Sequence, residues 1–194
     1  MVVVACADDV APHADWLLEY LKRLSGSGHD VKDGVRFQIG GCFLSLRRLA
    51  FNELAVCAPD VDADPFRDET ADLSISLRTL IGQMRFTQEL GVEPIATSFQ
   101  DKIVLDEGCL ESADLFMIRS APTDGDSGWF LGRQGPRESA PPMEAIFAFE
   151  LMKRRPELAP AMVLPAGFLV MVNARGILSV VDEQGQTRFT SNDR

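Results

Sequence analysis

LFMIRSAPTDGDSGWFLG, residues 115–132, is the stretch on which the fold turns. Its run Leu115–Ile118 has the apolar density of a buried strand, and the Asp and Gly cluster TDGDSG (123–128) is turn chemistry. WFLG (129–132) then resumes extended chain. Strand, turn and strand predict β structure at the centre of the second half.

Upstream, KIVL (102–105) reads as another strand. Before it, LSISLRTLIGQMRFTQELG places Leu73, Leu77, Leu80, Ile81, Met84 and Leu90 at helical spacing, with Gly91 as the stop. Earlier still, VRFQIG (35–40), CFLSLRRLAF (42–51) and ELAVCAP (53–59) are joined by Gly40–Gly41 and by Asn52, which predicts an antiparallel meander. Residues 12–24 carry Trp16, Leu17, Tyr20, Leu21 and Leu24 on one stripe of a surface helix that ends before SGSG (25–28).

Downstream, GRQGPRESAPP is a polar, Pro-rich loop. Pro141 and Pro142 suit a helix's first turn, Glu144 complements its dipole, and MEAIFAFELMKRR is expected to run as one helix to the basic residues before Pro156. GFLVMVN (167–173) and ILSVVD (177–182) predict a hairpin, and TRFTSNDR a frayed end. The class is α+β, mainly antiparallel sheet with packed helices, in two subdomains that meet near residues 106–113. The expected division is an N-terminal region over 1–108, a second domain over 109–188 and a tail over 189–194.

At 194 residues and 46% apolar composition the chain can bury a sizeable core. Lys and Arg number 19 against 29 Asp and Glu, a net charge of −10, which argues against gripping phosphates and for solubility or a basic partner. Cys6, Cys42, Cys57 and Cys109 are widely spaced, three of them in apolar stretches, and are expected to be reduced thiols. With only His13 and His29 beside them, no Cys/His zinc site is expected. MVVVACADD meets Asp8 and Asp9 too soon for a signal peptide, and no run of about 18 apolar residues follows. The expected compartment is cytoplasmic, without membrane, nucleic acid or cofactor.

GDSGW (125–129) invites a serine-protease reading of Ser127. A nucleophilic serine needs a histidine base oriented by an acid, and neither His13 nor His29 has the surroundings of one. Trp129 also stands where the protease pattern has its second glycine, so a turn capping a strand is the better reading. DVDAD (60–64) opens like a calcium loop, yet Pro65 and Ala71 occupy the positions that need glycine and glutamate. That excludes the calcium loop and leaves a solvated acidic loop, a surface facing a basic partner, or an unspecialised cation site. GRQGPR (132–137) and QIGGCF (38–43) match no phosphate-binding pattern, and KRR (153–155) is a helix C-terminus meeting its dipole. No catalytic constellation emerges.

LFMIRSAPTDGDSGWFLG (115–132), AIFAFELMKRRPEL (145–158) and LAPAMVLPAGFLVMV (158–172) together resemble the immunity-protein-33 domain family, with DSGW the most specific element. The chain departs from the family pattern at Phe130-Leu131 and in the basic loop GRQGPRES. The resemblance implies a bacterial protein that binds and neutralises a cognate toxin of a polymorphic or contact-dependent secretion system, in the cytoplasm of the cell that makes both. It carries over no catalytic residue. In that setting Asp126 and Ser127 fold a turn, Gly128 permits a backbone that a side chain would hinder, and Trp129 fills the core or faces the partner. Asp60, Asp62, Asp64, Asp124 and Asp126 are the candidate carboxylates for a basic toxin surface such as a nuclease's. An adaptor or chaperone for a secreted effector and a carboxylate-based hydrolase are the alternatives, and self-association is left open.

Overall fold

The computed structural model of the chain describes residues 1–136 and 141–191. The chain is α+β and divides into two compact units, Met1–Ile81 and Gly82–Arg194.

In the first unit, strand β1 (Val2–Val3) precedes helix α1 (Ala11–Gly26), the strands β2 (Arg36–Ile39), β3 (Cys42–Ala50) and β4 (Glu53–Pro59), and the short β5 (Glu69–Thr70). The expected meander is present: β2, β3 and β4 pair antiparallel in sequence order. β1 adds to β4 in parallel, with Val2 opposite Leu54, and β5 pairs the far end of β4. Helix α1 lies on this sheet because Ala14, Leu17 and Leu21 recur on one side and, with Val10 just before the helix, join Leu44, Leu46, Val56 and Ala58 in one core. Each Leu or Val side chain among them contributes about 1.5–3 kcal/mol on full burial. The helix overshoots its predicted end at Leu24 by one partial turn, and Ser27 closes it by donating its backbone N–H to the Arg23 carbonyl at 3.0 Å.

Helix α2 (Ser74–Leu90) contains the division between the units. Its opening brings Leu77, with the preceding Leu73, to the first core, and its later turns bring Phe86 and Leu90 to the second. Gly91, at φ +64°, stops it as the sequence predicts.

The second unit holds β6 (Lys102–Asp106), β7 (Leu115–Arg119), β8 (Asp126–Arg133), β9 (Met143–Phe147), helix α3 (Ala148–Arg154), β10 (Leu169–Asn173), β11 (Gly176–Val181) and β12 (Thr187–Thr190). They form one seven-stranded sheet in the order β12-β11-β10-β7-β8-β6-β9. All neighbours are antiparallel except β6 and β8. Ile103, Leu105, Leu115, Met117, Trp129, Leu131, Val170 and Val172 supply the strand side of the core, and Leu151, Leu158 and Met162 lie against them.

Two expectations are corrected here. The helix predicted to begin at Pro141-Pro142 begins only at Ala148, and Met143–Phe147 is a strand whose five residues pair with β6, so Glu144 faces Leu105 across a ladder and meets no helix dipole. Phe147 enters the helix by donating its N–H to Glu150 Oε1 at 3.1 Å, and Lys153 and Arg154 occupy the last turn as predicted. The chain end expected to fray is strand β12 over Thr187–Thr190, held because Phe189 packs edge-on to Phe86 at 5.5 Å and Arg188 donates to the Leu90 carbonyl at 2.8 Å. Residues 192–194 of that end, and 137–140 of the polar loop, lie outside the described residues.

Candidate functional site

DSGW sits where β8 begins. The turn before it is narrower than predicted: Thr123 and Asp126 exchange backbone hydrogen bonds of 3.0 Å around Asp124-Gly125, and Asp126, Ser127 and Gly128 already belong to the strand. Asp126 Oδ1 accepts the Gly128 N–H at 2.8 Å, a short side-chain loop that shapes the strand entry.

Ser127 is fully buried. Its hydroxyl donates to the Lys102 carbonyl at 2.7 Å and accepts the Trp129 N–H at 3.2 Å, which stitches β8 to β6 where their register shifts. A hydroxyl so engaged and closed off from solvent is a splice between strands. Gly128, at φ +76°, runs so close to the preceding strand that a Cβ would lie 2.3 Å from the Ser120 carbonyl oxygen. Only glycine fits there. Trp129 fills the core at 1% exposure, and its indole Nε1 donates to the Met162 carbonyl at 3.1 Å.

Beside Trp129 lies a residue that sequence reasoning missed. Arg119, at the end of β7, is also 1% exposed. Its guanidinium donates to the carbonyls of Ser127 (3.0 Å), Ile95 (2.8 Å), Leu164 (2.6 Å) and Met162 (3.3 Å) and to Thr97 Oγ1 (3.1 Å). Thr97 in turn donates to the Met162 carbonyl at 2.6 Å. The fork of N–H groups thus ties the segment after α2 and the turn before β10 to the central hairpin, which a lysine's single ammonium could not do. Burial pulls the Arg119 guanidinium down to about 10 against the opposing pull of Asp101, so it stays charged at neutral pH. The only signal in the sequence is an arginine directly after an apolar strand, a position that usually faces water.

The predicted partner carboxylates fall into two sets, one in each unit. Asp60, Asp62 and Asp64 share the loop between β4 and β5 with Asp68. Asp60 Oδ1 accepts the Asp62 N–H, Asp64 Oδ1 accepts the Phe66 N–H, and Asp68 Oδ2 accepts the Asp64 N–H. Asp64 also pairs with Arg67 at 3.6 Å. Asp124 is exposed and Asp126 half-buried in the β7–β8 turn. Among the described residues no helix is long and apolar enough to cross a membrane.

The second unit, with Arg119, Ser127, Gly128 and Trp129 at its centre, is also where comparison with known proteins finds a match. The model of the Imm33-like domain covers residues 82–183, more than half of the chain, and starts where the second unit starts. No curated protein and no solved structure matches.

Proposed function

The chain belongs to the Imm33-like domain family, and on that premise we propose that it is a cytoplasmic immunity protein that binds one cognate secreted toxin and neutralises it by contact, without chemistry of its own. The observation that carries this reading is the match over residues 82–183. A buried, hydroxyl-bonded Ser127 supports it by removing the residue that most invited an enzymatic interpretation.

The finer part of the proposal concerns the toxin's surface. A chain of net charge −10 that displays Asp60, Asp62 and Asp64 on one loop and Asp124 and Asp126 on one turn suits a basic partner, as a nucleic-acid-directed toxin would be. Carboxylates in such an interface would occupy the partner's phosphate sites and quicken encounter at low salt.

Capture with the tagged chain in its native host, at low and high salt, tests the proposal. The expected result is one stoichiometric partner whose production alone kills cells and whose toxicity disappears when the chain is made with it. A partner that is captured while its activity continues unchanged would make the chain a carrier and overturn neutralisation. Replacing the five aspartates by asparagine should weaken binding and flatten its salt dependence; affinity unmoved by either change would discard the basic-surface part alone.

A further inference from the structure

We propose that the tip of the β3–β4 hairpin, Phe51 with Leu49 and Arg48, is the anchor that this chain seats in an apolar recess of its toxin. The inference rests on the immunity reading and names the element that makes the contact.

The turn itself does not call for these residues. Ala50 pairs with Glu53, which leaves Phe51 and Asn52 as a two-residue turn. Tight turns select Gly, Asn, Asp or Pro for their backbone needs, and a phenylalanine at the first turn position serves none of them. Neither turn residue adopts a positive φ, so no backbone strain depends on which side chain stands there. Phe51 is nevertheless 89% exposed, and Leu49 is 57% exposed one strand position before Ala50. The β3 register shifts between Arg48 and Ala50, an irregularity of the kind that re-aims side chains at the end of a ladder.

The tip is also braced before any partner arrives. The Leu54 N–H donates to the Met1 carbonyl at 2.9 Å, with β1 alongside β4, and the Arg48 N–H donates to Asp33 Oδ1 at 2.9 Å. A preformed tip loses little conformational freedom on binding. An aromatic ring flanked by an arginine is the composition in which interface energy concentrates.

The occupant follows from two further facts. The hairpin lies outside residues 82–183, so a contact made there can set the choice of toxin without altering the domain that the family model matches. Copies of a chain at net −10 repel one another, which favours a toxin over a second copy. Arg48 is an exposed positive charge on the same hairpin, where the aspartate loop supplies negative ones, and charges of opposite sign fix the orientation of docking.

The test uses the full chain and the toxin identified by the capture experiment, purified, with the dissociation constant measured by calorimetry. Phe51→Ala is expected to weaken binding by roughly thirtyfold, the effect of an aromatic hot spot, with its unfolding midpoint unchanged. Ile75→Ala, which trims another exposed side chain of the same unit, is expected to bind as the unaltered chain does. A toxin bound equally well by the Phe51→Ala chain overturns the anchor and leaves the immunity reading standing. Failure to capture any toxin sinks both. A chain that sediments as a dimer, and as a monomer once Phe51 is replaced, assigns the tip to a second copy and overturns the occupant proposed.

Discussion

The Arg119 guanidinium lies 5.5 Å from the centre of the Trp129 ring, and both side chains donate to the same Met162 carbonyl. The two come from opposed strands, since Arg119 and Trp129 are register partners in β7 and β8. The most specific motif of the sequence therefore owes its place in the core to a residue outside it. Trp129 offers the cation a π face and Arg119 keeps its charge satisfied through backbone carbonyls.

Replacing Arg119 by Met leaves the carbonyls of Ile95, Leu164 and Ser127 without their donor. The expected loss is about 3–5 kcal/mol, the scale of breaking a buried polar network. Arg119→Lys should lose at least about 2 kcal/mol, because one ammonium cannot reach acceptors spread around a planar fork. Urea unfolding followed by tryptophan fluorescence measures both, and a Lys variant as stable as the parent would refute the role given to the fork.

Gly128 and Gly125 make a matched pair three residues apart. Both have positive φ, +76° and +74°, but a Cβ at Gly128 would press on the Ser120 carbonyl while one at Gly125 has nothing within 4 Å. Gly125→Ala should cost about 1–2 kcal/mol from backbone strain alone. Gly128→Ala should cost well over that, to the point of preventing accumulation of folded protein. Equal thermal midpoints for the two variants would show that the contact is relieved by a small backbone shift.

Acid should weaken the first unit through Glu69. Arg47 donates to both of its carboxylate oxygens and Ser45 to one, and these bonds, the Arg47 bond foremost, hold its pKa below the ordinary 4.5. A depressed carboxylate stabilises the fold fully above its unfolded pKa, and the contribution disappears as pH falls from about 4.5 through the lower folded value. Glu69→Gln should cost about 1–2 kcal/mol at pH 7 and make stability less steep in pH below 5. Identical acid-unfolding curves for the two chains would contradict this.

The thiols should be slow. Burial pushes Cys42 and Cys109 up to about 11, and Cys6 and Cys57 are raised as well, so little thiolate exists at neutral pH. Labelling of the buried Cys57 and Cys109 by a disulfide reagent at pH 7.5 is expected to follow unfolding as denaturant is added. Either of these two reacting at the rate of a free cysteine in the native chain would be inconsistent with the packing.

Where a single face meets a single core, the pattern of residues was enough: the stripe Leu17, Leu21 of α1 and the meander from Val35 to Pro59 could be read directly. Met143–Phe147 could not, because Met, Glu and Ala favour helix in isolation and only the open edge of β6, some forty residues earlier (~40) in the chain, draws them into a ladder. Phe189 looked like part of a polar tail for the same reason, its partner Phe86 being remote in sequence. At the site, Gly128 and Trp129 carried local signatures of turn and core. Arg119 carried little beyond its place after an apolar run, since what makes it internal is the convergence of carbonyls from three separate stretches of chain: Ile95, Ser127, and Met162 with Leu164.

The parallel pairing of β6 with β8 also sets a timetable for synthesis. β6 leaves the ribosome first, yet its neighbours on either side, β8 and β9, begin only at Asp126 and Met143. At about 5–20 residues per second, Ile103 and Leu105 wait on the order of seconds without a strand on either side. A nascent chain stalled between β7 and β8 would present that strand with both edges bare, so this is the interval in which a chaperone would matter most to the yield of folded protein.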